Sequence, residues 1–243
     1  MEHPPQAPAD RFGPPRTLIG SGLALWGIAV ALGVVIGLIV VVGTIALAFD
    51  LDADDNTVLG VSLVAQAVAN LAILGIVLLR LRGRGGGLGD FGFRPLDWGR
   101  AWWVVIAFVI ASFMTIAAFD VLVDAVGLDD LRPEGNLDED IKDSAGVFLL
   151  SAVFAILVAP ISEEMFFRGL LFGGFFRDFG LAVGLLFSGI LFGLVHGQIT
   201  LLVPFSIIGC YLGLAYAYTR SLWGSIACHL TFNALGIIGL ALS

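Results

Sequence analysis

Charge is scarce in this chain. Only 13% of its 243 residues are charged while 58% are hydrophobic, and the mean hydropathy is +1.00. A water-soluble domain of that composition would expose large apolar patches, so a soluble fold is excluded and a polytopic membrane protein is expected. Lysine is almost missing, since eleven of the twelve basic residues are arginine. That bias points to a GC-rich genome and hence to a bacterial plasma membrane. The one tight basic cluster, Arg80, Arg82 and Arg84, borders an apolar run, which argues against nucleic acid as a partner. The net charge of −8 says little about partners, because the acids are concentrated in two short loops. The two cysteines, Cys210 and Cys228, both lie in apolar segments and read as small buried hydrophobes, not as a disulfide or a thiolate metal site.

What the chain has in abundance is apolar runs. A spanning helix needs ~20 mostly apolar residues, and seven stretches come near that length: 18–49, 57–79, 98–126, 144–176, 180–195, 201–218 and 223–242. The expected fold is all-α, a polytopic bundle of about seven transmembrane helices. Three regions are expected: a disordered Pro-rich cytoplasmic tail over 1–17, N-terminal spans and acidic loops over 18–143, and a catalytic core over 144–243. Gly85 to Gly89 reads as a flexible linker, and Phe91 to Asp97 as an interfacial segment. Trp98, Trp102 and Trp103 suit the headgroup belt. Arginines at 80–84, 177 and 220 alternate with acidic loops at 50–56 and 127–143, which places the N-terminus in the cytoplasm by the positive-inside rule. Pro160 is expected to kink or break the fourth span.

Against this apolar background, Glu163, Glu164 and Arg168 need a reason. An ionised side chain at the bilayer centre costs from about 2.5 to over 10 kcal/mol, depending on how it is measured. Glu164 and Arg168, four residues apart, share a helix face, whereas Glu163 points about 100° away from Glu164. Two of the three histidines also lie in or beside spans, His196 four residues after Phe192 and His229 four before Asn233. Counting the helix rise from the span ends makes convergence of Glu163, His196 and His229 in one cavity plausible, with an opening to the cytoplasm preferred. Glu164 with Arg168 reads equally as a structural ion pair, Phe192 as packing that orients His196, and Asn233 as interhelical glue.

Two hydrolytic schemes suit one carboxylate and two imidazoles. In one, Glu163, His196 and His229 hold a divalent metal such as zinc. In the other, Glu163 and His196 polarise water without metal, and His229 with Asn233 donates to the oxyanion. There is no HExxH motif, and no serine forms a nucleophile elbow.

The ordered set Glu163-Glu164-xxx-Arg168, Phe192-xxx-His196 and His229-xxx-Asn233 resembles the CAAX prenyl endopeptidase and bacteriocin-processing (CPBP, Abi) family of intramembrane proteases. The resemblance spans roughly 148–241. It implies an endopeptidase acting on a membrane peptide or protein, lipidated or not, in which Glu163 and His196 activate water. His229 and Asn233 would stabilise the oxyanion, with Glu164 and Arg168 in support. The family is described both as metal-dependent and as metal-independent, so the metal stays open. The alternative is a non-enzymatic membrane immunity or scaffold protein of the same fold; a relay for metal or proton transport ranks below it. Oligomeric state and substrate identity are not legible.

Overall fold

The computed structural model describes residues 13–15, 17–49, 56–132 and 144–242. Most of the expected tail and the acidic stretches 50–55 and 133–143 lie outside the described residues. Seven helices account for nearly all the rest: α1 Ser21–Phe49, α2 Asn56–Arg82, α3 Trp98–Val126, α4 Ala145–Phe179, α5 Leu181–Leu194, α6 Ile199–Thr219 and α7 Leu222–Leu242. No strand occurs among the described residues. The protein is a polytopic helical membrane bundle.

Six of the helices are long and apolar enough to cross a membrane. The exception is α5, expected as a full span over 180–195. It has 14 residues, about 21 Å at the α-helical rise, short of a ~30 Å hydrocarbon core. The chain turns at Val195 and His196 because Gly197, with φ of 71°, takes the left-handed backbone that glycine tolerates.

Helix α4 runs for 35 residues without a break at Pro160. The backbone relaxes there by another route. Residues Phe154–Val158 form a π turn, with the amide of Ala159 donating to the carbonyl of Phe154, five residues back. The next π-type acceptor is the carbonyl of Ala155, and its donor would be the amide that Pro160 lacks. A second π stretch covers Met165–Phe172.

The packing is uneven along the bundle. Fully buried large side chains gather at the end marked by the arginines: Ile19, Leu81, Phe91, Phe172, Leu212, Tyr216 and Leu222. The segment between α2 and α3 seals this end. Phe91 is completely buried, so it is no interfacial residue, and its carbonyl accepts from Tyr216 Oη at 3.3 Å. The amide of Leu222 donates to Gly92 O at 2.9 Å, and Ser221 Oγ donates to Arg94 O at 2.6 Å. Gly92 has φ of 93°, and a Cβ there would lie 2.0 Å from Tyr216 Oη, so only glycine fits. The described end of the tail is bound here as well. Gly13 N donates to Ala217 O at 3.1 Å and Thr17 Oγ1 to Asp90 O at 2.8 Å, so the described residues on either side of position 16 are held against the bundle. Trp98, Trp102 and Trp103 stay 65%, 59% and 42% exposed, as an interfacial belt requires.

Candidate active site

At the opposite end the bundle is hollow. A cavity of about 960 Å³ lies between α1, α2, α3 and the four later helices, and Glu163, His196, His229 and Asn233 all line it. Its lining begins at Ile28 on α1, Leu74 on α2 and His229 on α7, each about 10 Å or more from the arginine end by the helical rise. It reaches Leu201 and Leu240, close to the other ends of α6 and α7. The expected opening toward the arginine side is therefore not met, because packed side chains fill that side. The helices before position 144 supply about a third of the wall, so the cavity is not enclosed by the C-terminal helices alone.

The boundary between packed and hollow halves passes between two adjacent glutamates. Residues Ala159–Glu164 are ordinary α-helix, so Glu163 and Glu164 point in different directions. Glu163 faces the cavity with its side chain 23% exposed, while Glu164 and Arg168 are completely buried. Glu164 Oε1 accepts from Arg168 Nη1 at 3.0 Å and from His229 Nδ1 at 2.9 Å. Arg168 Nη2 donates onward to Gly209 O at 2.9 Å. That carbonyl is within reach because α5 and α6 touch backbone to backbone. A Cβ on Gly209 would lie 2.9 Å from Gly189 Cα, and one on Gly189 would lie 2.7 Å from Ser206 O. The Arg168 guanidinium also sits 4.5 Å above the Phe192 ring.

Both imidazoles are oriented by their Nδ1 atoms. His196 Nδ1 lies 2.7 Å from Phe192 O, and a carbonyl only accepts, so Nδ1 carries the hydrogen. His229 Nδ1 likewise donates to the Glu164 carboxylate. Each ring thus turns Nε2 away from its anchor, and His229 Nε2 stands 4.0 Å from Glu163 Oε2. Phe192 packs edge-on to both imidazoles, with ring centres 4.9 Å from His196 and 5.6 Å from His229. The expected pairing of Phe192 with His196 is present. The partner of Glu164 is double, an arginine and a catalytic candidate, where the sequence alone paired it only with Arg168.

Asn233 Nδ2 donates to Ala155 O at 2.8 Å. That is the carbonyl left without a backbone donor by Pro160, so the side chain of α7 repairs the π turn of α4. One amide hydrogen of Asn233 is thereby used. Two cavity residues went unnoticed in the sequence, Gln66 and Asn70 on α2, of which Asn70 Nδ2 donates to Ser162 Oγ at 3.2 Å. Their signal was present as two carboxamides four residues apart in an apolar run.

Metal ligation fits poorly. Among the described residues no three His, Cys, Asp or Glu side chains come together closely enough to hold an ion, the set Glu163, His196 and His229 included.

The fold and this cluster define a class, a helical membrane protein with a carboxylate–imidazole site beside an internal cavity. Within it, residues 145–235 match the family model described as type II CAAX prenyl endopeptidase Rce1-like. The match agrees with the resemblance carried by the motif positions Glu163, His196, His229 and Asn233, all of which lie within the matched stretch. A candidate membrane peptidase of Bacillus subtilis (strain 168), YdiL, is 27% identical over 136 residues, covering 56% of this chain and 54% of the relative. The matched stretch thus spans about half the length of that curated relative. No solved structure matches.

Proposed function

We propose that the protein is an intramembrane endopeptidase that hydrolyses a peptide bond of a membrane-associated substrate with a water activated by Glu163 and His196. The observation that carries this reading is the placement of Glu163 and the two anchored imidazoles on one internal cavity. A peptidase name on the relative and the family match support it.

The Glu163 carboxylate and His196 Nε2 are both acceptors in the resting site. A water donating one hydrogen to each turns a lone pair toward the substrate carbonyl. As the C–O bond forms, Glu163 takes the water proton. The carbonyl oxygen becomes an oxyanion, met by the second amide hydrogen of Asn233 and by His229 donating from Nε2 as an imidazolium. That form of His229 is balanced by charge: Glu163, Glu164 and Arg168 together carry −1, and Glu164 already accepts from Nδ1. Collapse of the intermediate breaks the C–N bond, and the proton held by Glu163 passes to the leaving amine. The site's setting is a bacterial plasma membrane with a cytoplasmic N-terminus, by the arginine distribution.

The test is cleavage of a panel of lipidated and unmodified membrane peptides by purified protein in nanodiscs, with Glu163→Ala and His229→Ala alongside. Cleavage by wild type with loss in both variants is expected. Equal cleavage by all three, or none on the whole panel, would overturn the reading and favour a non-enzymatic immunity or scaffold role.

A further inference from the structure

Gln66 and Asn70 lie on α2, outside the stretch matched by the family model, and both line the cavity. A carboxamide inside a membrane span is costly unless its donors and acceptor are used. Asn70 is half accounted for. Its Nδ2 donates to Ser162 Oγ, whose own hydrogen goes to the carbonyls of Val158 and Ala159 at 2.9 and 3.0 Å. Ser162 therefore accepts from Asn70, which fixes the amide with its nitrogen toward α4 and leaves Oδ1 facing the cavity without a hydrogen bond among the described residues. Gln66 makes no hydrogen bond to any described residue, although it stands about 15 Å inside α2 from the Asn56 end. An interhelical tie explains one hydrogen of Asn70 and nothing of Gln66.

The spacing fits one kind of ligand. Residues four apart on a helix are separated by about 6 Å along its axis. Alternate residues of an extended chain, whose N–H groups face the same way, repeat every ~6.6 Å. Asn70 is also tied to Ser162, the residue directly before Glu163. We infer that Gln66 and Asn70 form a two-rung carboxamide ladder that accepts hydrogen bonds from alternate backbone N–H groups of an extended substrate segment and lays it beside Glu163. This rests on the endopeptidase reading. The substrate class it implies is a membrane segment whose helix is unwound near the cleaved bond, because only an extended backbone has N–H groups to give.

The experiment uses whichever peptide of the panel wild type cleaves fastest. Gln66→Met and Asn70→Leu should each raise KM about three- to tenfold with kcat within twofold, the loss expected of one hydrogen bond. Gln66→Glu, which keeps an acceptor, should restore most of the KM lost in Gln66→Met. Backbone esters, which replace one substrate N–H by oxygen, should raise KM for wild type at two positions two residues apart. At one of these positions the ester should cost Gln66→Met nothing further. The same peptides bound to the uncleaving Glu163→Gln protein, followed by fluorescence anisotropy, should weaken in the same order. Unchanged KM and binding in both α2 variants, or an ester penalty identical in wild type and variants, overturns the ladder while leaving the endopeptidase standing. A wild type that cleaves no peptide overturns both.

Discussion

The two halves of the bundle are built for different ends, and α4 belongs to both. Toward the arginines, side chains such as Phe172, Leu212, Tyr216 and Leu222 are fully buried and the loops are tied down by backbone hydrogen bonds. Away from them, the same helices part around a cavity of about 960 Å³. Glu164 falls on the packed side and Glu163 on the hollow side, so adjacent carboxylates of identical chemistry acquire different work. One holds an arginine and a histidine in position. The other faces open space where a water and a carbonyl can meet. Exposure, set by about 100° of helical rotation, divides the roles.

That division can be broken experimentally. The largest effect is expected on the hollow side. His196→Ala should lower kcat about 10²- to 10⁴-fold and leave the unfolding midpoint in detergent within the error of wild type. Next comes the packed side. Arg168→Met removes the partner of a completely buried carboxylate and should cost about 3–5 kcal/mol of stability, read by denaturant unfolding, with cleavage falling because His229 loses its anchor. A smaller effect belongs to the seal at the arginine end. Tyr216→Phe deletes the bond to Phe91 O and should cost about 1 kcal/mol with kcat unchanged, which would show that the seal is structural. Least of all, a strong chelator should leave cleavage unaltered, since among the described residues no three His, Cys, Asp or Glu side chains are grouped closely enough to ligate an ion.

Much of this was legible from residue order. The apolar runs, the tryptophan belt and the convergence of Glu163, His196 and His229 on one cavity follow from hydropathy and spacing. What escaped depended on contacts between distant segments. The burial of Phe91 against α4, α6 and α7 and the bonds from Gly13 to Ala217 and from Thr17 to Asp90 join segments far apart in the chain, which no local pattern encodes. Pro160 signalled a fault in α4 correctly, but the repair by a π turn and by Asn233 needs α7 alongside. The bond from His229 to Glu164 was hidden for the same reason, since the ion pair with Arg168 four residues away already satisfied the local rule. The side of the cavity was misread because span ends give depth along a helix and not where neighbouring side chains fill the space.

The central claim is that Glu163 performs the chemistry and Glu164 holds the site together. It is tested most directly by measuring single-turnover cleavage and unfolding midpoint together for Glu163→Gln and Glu164→Gln. The account predicts that Glu163→Gln keeps the wild-type midpoint and loses about 10²-fold or more in rate, whereas Glu164→Gln unfolds more easily. A Glu163→Gln protein that cleaves at the wild-type rate would contradict it.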